Sequence, residues 1–225
     1  MQDLKRTART TGVLYLALAI TGGLSFAVFR PATYTGGPTQ TLANLVDQEA
    51  FARVGLGMEM GLVVSGALAA VWFYKLFREI NPVAAFATAT FGLMNTVTQV
   101  ASSIFLATSL AVAGDHALAP AGDAAAVVGL MGQLSTAAWG IGALFFGLWL
   151  IPMGWVAVSS NRFPRVLGWI LIAGGCCYVL SAFLGNAVVG VPSAAVEALA
   201  APATVGELWM IVYLLSVGIR PDPAQ

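Results

Sequence analysis

The residues from Phe51 to Arg78 form an apolar stretch that is longer than a bilayer crossing requires, and Glu59 lies inside it. About 20 apolar residues are enough to span the hydrocarbon core. An ionised carboxylate without partners is costly there, so such a residue faces the protein interior. The stretch therefore predicts a membrane helix with one polar side directed into a bundle.

The whole chain has the composition of a membrane protein. Of its 225 residues, 59% are hydrophobic and 9% are charged, and the mean hydropathy is +0.85. Six spans of about 20 residues fit this length with short connections. We predict an all-α fold, a six-span helical bundle that forms one membrane domain over residues 1–225. The predicted spans cover residues 12–29, 53–75, 83–112, 124–156, 166–184 and 203–219.

The segments between the spans contain two predicted short helices. Thr41 is a candidate cap for a helix over residues 41–51 that lies on the membrane surface, and Ser193 is a candidate cap for a second one in the loop before span six. The apolar run from Gly12 to Phe29 is long for a signal peptide, which favours a retained first span.

The basic residues are distributed unequally between the two sides. Eight fall on the side of the N-terminus and two on the other side, and in chain order they are Lys5, Arg6, Arg9, Lys75, Arg78, Arg162, Arg165 and Arg220 against Arg30 and Arg53. Because positive charge is retained in the cytoplasm, both termini are predicted to be cytoplasmic.

Two carboxylates are predicted at matching depth within the spans. Glu59 lies about 9 Å along span two, and Glu207 lies at a similar depth in span six. Arg53 is about 120° round the helix from Glu59, so the two do not pair. The expected partners of Arg53 are Glu207, Asp47 or Glu49.

Spans three and four add uncharged polar side chains. Asn95, Gln99 and Ser102 share one face of a helix at spacings of four and three, and Gln133 and Thr136 share a face of span four. These residues predict a polar interior open to the outside. The alternative is that they only join helices through hydrogen bonds, which is common for Asn, Gln, Ser and Thr in membranes.

The residues that membrane catalysis needs are scarce. His116 is the only histidine and is predicted in a loop with Asp115 and Asp123, so we predict no metal site and no bis-histidine haem. A protease would need a histidine or a metal-binding set within the membrane. A carboxylate pair remains the one route to acid–base chemistry, and a non-enzymatic role is favoured. The sequence names no cofactor.

Three segments resemble a known family. They are Arg53-Val54-Gly55 followed by Glu59, the stretch from Phe145 to Gly175, and Gly206-Glu207-Leu208-Trp209. They resemble the bacterial membrane proteins called domain of unknown function 4386, over nearly the whole chain. The most specific part is the turn before span five, formed by Phe163, Pro164, Arg165 and Gly168.

The resemblance implies a multi-pass protein of the bacterial plasma membrane with six spans. It singles out Arg53, Glu59, Arg165 and Glu207 and implies no activity. The four residues of the turn are expected to be structural.

Two functions fit these observations. The first is binding or transport of a small polar or lipid-like ligand in an outward-facing polar interior. The candidate residues for this interior are Arg53, Glu59, Asn95, Gln99, Gln133 and Glu207. The second is a non-catalytic accessory subunit of a larger membrane complex. The expected partners are the lipid bilayer and a homodimer or larger assembly. Because the net charge is zero, the sequence gives no indication of a nucleic-acid partner.

Overall fold

The computed structural model describes residues 2–220, and within this range the chain folds into helices joined by short turns, with no strand. Six helical stretches are long and apolar enough to cross a membrane. They are Asp3–Thr33, Glu49–Phe77, Pro82–Gly114, Ala124–Ser159, Arg165–Ala187 and Ser193–Ser216. The predicted all-α, six-span fold is therefore confirmed, and the chain is a multi-pass membrane protein. The side on which the termini lie stays a prediction.

The first span is built from three consecutive pieces and the other spans are single helices. The helices in chain order are α1 (Gln2–Leu24), a π-helical segment (Ser25–Phe29), α2 (Arg30–Thr33), α3 (Pro38–Asp47), α4 (Glu49–Phe77), α5 (Pro82–Gly114), α6 (Ala124–Ser159), α7 (Arg165–Ala187) and α8 (Ser193–Ser216). Two short 3₁₀ turns, His116–Leu118 and Pro120–Gly122, connect α5 and α6.

The first span extends past the predicted end at residue 29 and includes Arg30 and Pro31. In a regular α-helix the proline ring clashes with the carbonyl four residues before it. The wider π-helical turn that directly precedes α2 accommodates this ring. Arg30, predicted outside the first span, therefore belongs to it.

Two predicted boundaries between spans were wrong. The short helix begins at Pro38 rather than at Thr41, because Gly37 adopts φ of 88° and leads into a proline at the first helical turn. It ends at Asp47, and α4 begins at Glu49. The predicted loop helix near Ser193 is the start of α8, which continues through Pro202 because the alanine-rich sequence before the proline is strongly helix-forming.

The helices form two compact units. One, here called the glycine unit, contains the residues up to Leu16, Ser65–Thr96 and the residues from Gly140 onward. The other, here called the polar unit, contains Ala17–Val64 and Val97–Trp139.

In the glycine unit, α6 and α7 approach to backbone contact. A Cβ atom on Gly154 would lie 2.5 Å from the carbonyl oxygen of Gly168, and one on Gly147 would lie 2.7 Å from that of Gly175. The two pairs are spaced seven residues apart on each helix, so they repeat on the same faces. Small residues at such crossings let membrane helices gain van der Waals contact where lipid provides no hydrophobic driving force.

In the polar unit, α3 packs on the ends of α5 and α6. Leu45 of α3 is fully buried in a cluster with Leu110 of α5 and Val128 of α6. A Cβ atom on Gly129 would lie 2.7 Å from Pro38. The helix predicted to lie on the membrane surface is thus anchored in a protein core through one side.

We expect Gly154→Ala to destabilise the protein by about 1–3 kcal/mol, because the new methyl group overlaps a backbone carbonyl that cannot move without shifting α7. Thermal unfolding in detergent measures the effect. Gly57→Ala in α4 is the matched control, since a Cβ there meets no atom within 4 Å and alanine favours the helix. Equal melting temperatures for the two variants would contradict this account of the α6–α7 crossing.

Candidate functional site

A buried ion pair lies in the polar unit between the first and second spans. Arg30 of α2 donates from Nε to Oε1 of Glu59 in α4 over 2.9 Å. The Glu59 side chain is 0% exposed and that of Arg30 is 14% exposed. The structure thus supplies the partner that an intramembrane carboxylate requires, and this partner is Arg30.

Glu59 accepts hydrogen bonds from several further groups. The Ser25 hydroxyl donates to Oε1. The Ser102 hydroxyl and the Trp139 indole nitrogen lie 3.4 Å from Oε2. Arg30 and Trp139 are donors and the serine hydroxyls can donate, so the set satisfies the acceptor oxygens of the Glu59 carboxyl group.

Arg30 is held by residues of two other spans. Its Nη2 donates to the Ser102 hydroxyl over 2.5 Å and to the Ser135 hydroxyl over 2.9 Å. The guanidinium carbon lies 4.8 Å from the centre of the Trp139 ring, a cation–π arrangement. Four spans therefore meet at one charged centre, here called the Arg30–Glu59 cluster, which comprises Ser25, Arg30, Glu59, Ser102, Ser135 and Trp139.

The cluster lies at one level along its helices. Glu59 is ten residues from the start of α4, and Ser102 and Ser135 are twelve and eleven residues from the nearer ends of α5 and α6. These positions correspond to about 15–18 Å of helix. The level is well inside the spans and toward the end where α5 joins α6.

The π-helical segment explains why Ser25 and Arg30 both reach Glu59. In an α-helix, residues five apart point about 140° away from each other. Here the backbone N–H of Arg30 bonds to the carbonyl oxygen of Ser25, which stacks the two residues one turn apart. The local change of helix type therefore aligns a hydroxyl donor and a guanidinium on one face.

Arg53 is not part of the Arg30–Glu59 cluster. Its Nη2 is 2.7 Å from Oε1 of Glu49 in an exposed i,i+4 pair on α4, with the two side chains 64% and 57% exposed. Glu49 is one of the three partners expected for it. The sequence interpretation favoured Arg53 and missed Arg30, because Arg30-Pro31 resembles the end of a span.

The polar stripe of α5 is buried, with Asn95 9%, Gln99 5% and Ser102 0% exposed. Within residues 2–220, the Gln99 amide oxygen has no hydrogen-bond partner.

Gln133 of α6 is exposed, whereas Ser135 is fully buried in the cluster. Two residues correspond to about 200° round a helix, so these side chains point in opposite directions and Ser135 takes the place expected for Gln133.

Glu207 belongs to the glycine unit and has its own partner. The Tyr15 hydroxyl donates to its Oε1, and Tyr15 is 1% exposed. Tyr15 also contacts the rings of Phe73 and Trp149 edge-on, with centroids 5.3 and 5.4 Å away. Glu207 itself is half-buried, and neither ion pair that the structure records in residues 2–220 includes it.

The family turn is positioned by packing. Phe163 is 1% exposed and contacts the rings of Phe77 and Tyr213. Pro164 directly precedes α7, and Gly168 forms the close contact with Gly154. Arg165 donates to Asn161 over 3.0 Å at the surface.

The space beside the cluster is small. A cavity of about 10 Å³ is lined by Ser25, Arg30, Thr33, Tyr34 and apolar side chains, which is room for about one water molecule. Tyr34 follows the first span, and burial raises its pKa to about 12, so its phenol keeps its proton at neutral pH. Among residues 2–220, no group of three or more His, Cys, Asp or Glu side chains is arranged to hold a metal ion.

We expect Glu59→Gln to lower the free energy of unfolding by about 3–5 kcal/mol, because it leaves the buried Arg30 charge without a counter-charge. Glu49→Gln removes the same charge from the exposed pair and is expected to cost less than about 1 kcal/mol. Denaturation in detergent compares the two variants. Equal losses of the free energy of unfolding would show that the buried pair stabilises the protein no more than the exposed pair does.

In the comparisons with known proteins, the match is to a protein family. Neither the curated proteins nor the solved structures include a significant match to this chain. One family model matches residues 10–218, which is nearly the whole chain and includes every residue of the Arg30–Glu59 cluster. The chain therefore belongs to the family described as Domain of unknown function (DUF4386).

Proposed function

We propose that the chain is a membrane-embedded binding protein or transporter for a small polar ligand, and that the Arg30–Glu59 cluster is its binding site. The observation that carries this proposal is the ion pair itself. A guanidinium and a fully buried carboxylate lie within the spans, and hydroxyl and indole groups from three spans surround them. Ionisable residues in this setting mark ligand and ion pathways in membrane proteins.

Packing alone does not require such a pair. Replacing a buried ion pair by apolar side chains of similar volume is often neutral or stabilising. Polar contacts between membrane helices are made adequately by uncharged side chains. The π-helical segment that aligns Ser25 with Arg30 is a second indication, because π-helical turns are found frequently at functional sites.

The chemistry of the cluster defines the kind of ligand. Arg30 offers a planar donor group to a carboxylate or phosphate, and Glu59 offers an acceptor to an ammonium group. The hydroxyls of Ser102 and Ser135 and the unpaired Gln99 oxygen would hydrogen-bond uncharged groups. A charged group on the ligand would replace one side chain of the ion pair as the partner of the other. A small molecule with at least one charged group therefore fits best.

Access to the site requires movement. The cavity beside Arg30 holds about one water molecule, so a ligand needs the segment from α2 to α3 to shift. With the N-terminus on the cytoplasmic side, the positive-inside rule places this segment on the outside. The site would then open outward.

Glu207 favours a second candidate function, that of an accessory subunit. Its half-buried carboxylate lies in a spanning helix and is paired with a phenol rather than with a cation, among the residues that the structure describes. A cation on a neighbouring membrane protein would complete this site at an interface. A homodimer or a larger complex would place such a partner there.

Native mass spectrometry in mild detergent tests the proposed function. The double variant Arg30→Met, Glu59→Leu removes the pair and keeps its volume, and Arg53→Met, Glu49→Leu does the same to the exposed pair as a matched control. We expect the unmodified protein and the control to carry a small molecule that dissociates on activation, and the buried-pair variant to carry none.

Two outcomes would contradict this. If the buried-pair variant retains the small molecule, the cluster is not its site. If the protein carries only stoichiometric polypeptides, and Glu207→Gln releases them, the accessory-subunit function is supported instead.

A further inference from the structure

A second candidate site lies in the glycine unit on α1. Lys5, Arg6, Arg9, Thr10 and Val13 line an open groove of about 480 Å³, here called the basic groove. These positions fall on one side of the first three to four turns of the helix. Nothing in the Arg30–Glu59 cluster contributes to it.

The cations of the basic groove form no ion pair with another described residue. Lys5, Arg6 and Arg9 are exposed, and neither ion pair recorded in residues 2–220 includes them. Lys5 and Arg9 are four residues apart on the helix, a spacing at which like charges repel. Among residues 2–220, no acidic side chain lines the groove, so an anion bound there would relieve this repulsion.

The order of the side chains along α1 matches the order of groups in a phospholipid. The three cations come first, then the Thr10 hydroxyl, then Val13, whose side chain is 57% exposed. They occupy the beginning of the stretch that crosses the membrane, Asp3–Thr33. The cations therefore lie at the level of the headgroups, and the exposed valine lies toward the acyl chains.

We propose that the basic groove binds the phosphate headgroup of an anionic glycerophospholipid from the bilayer around the protein. Arginine side chains recognise phosphate oxygens in a bidentate manner, and two of the three cations are arginines. This binding is independent of the Arg30–Glu59 cluster. It differs from general attraction to an anionic surface because it requires these three cations rather than any cations at the same membrane boundary.

Lipid titration of the delipidated protein tests this. The protein in detergent is mixed with phosphatidylglycerol or with phosphatidylcholine, and bound lipid is counted by native mass spectrometry. The variant Arg6→Ala, Arg9→Ala is compared with Lys75→Ala, Arg78→Ala, which removes two exposed cations of α4 and the turn that follows it, outside the groove. We expect phosphatidylglycerol to bind the first variant about thirty-fold more weakly and the second variant as it binds the unmodified protein.

A third variant, Arg6→Lys with Arg9→Lys, keeps the charge but loses the bidentate contacts, so its affinity should lie between those of the unmodified protein and the alanine variant. Because all four positions are exposed, size-exclusion profiles should be unchanged in every variant. The proposal is overturned if phosphatidylcholine binds equally well or if both alanine variants lose the lipid equally. Full competition by free glycerol phosphate would also overturn it, since the groove would then be a site for soluble anions rather than for a lipid.

Discussion

A guanidinium and a carboxylate inside a bilayer are stable only when they neutralise each other and when their remaining hydrogen-bonding groups are satisfied. The polar unit is arranged around this requirement. Arg30 and Glu59 are 2.9 Å apart, and Ser25, Ser102, Ser135 and Trp139 provide the remaining contacts. Each of these side chains constrains the rotation of its own helix, because a rotation by two residues would turn it about 160° away from the cluster. The charged centre therefore specifies how four spans are oriented.

In the glycine unit, the helices associate through a different kind of contact. Its closest contacts are between backbones, at Gly147 with Gly175 and at Gly154 with Gly168. Dispersion contacts of this kind depend on shape rather than on charge. One unit is thus held by directional polar contacts, and the other has crossings where no side chain fits. The two units thus differ in the kind of interaction that joins their helices.

Much of the architecture could be predicted from the sequence because apolar runs of sufficient length have one interpretation in a membrane. The six spans and the burial of the stripe formed by Asn95, Gln99 and Ser102 follow from hydropathy and helical spacing. The identity of Arg30 as the partner of Glu59 could not be predicted from these patterns. Arg30 stands beside a proline, which normally ends a helix, and only the π-helical turn keeps it within the span. Because a π-helical turn has no clear sequence signature, spacing rules based on 100° per residue place Ser25 and Arg30 on different faces.

Ser135 was missed because the sequence does not show which face of α6 points inward. Gln133 and Thr136 were selected on polarity and helical spacing alone. Glu207 lies in α8, one of the six spans, and its neighbours in the glycine unit include Tyr15, which is separated from it by 192 positions in the chain. Contacts between residues so distant in sequence depend on tertiary packing, which a single sequence does not reveal.

The π-helical segment sets the rotation of α2 relative to α1. If Ser25–Phe29 were to rewind as an α-helix, Arg30 would swing by about 100° relative to Ser25 while the helix on either side kept its hydrogen bonds. The guanidinium would then lose its contacts with Glu59, Ser102 and Ser135 together. A short axial twist, rather than the displacement of a whole span, would therefore separate the two charges.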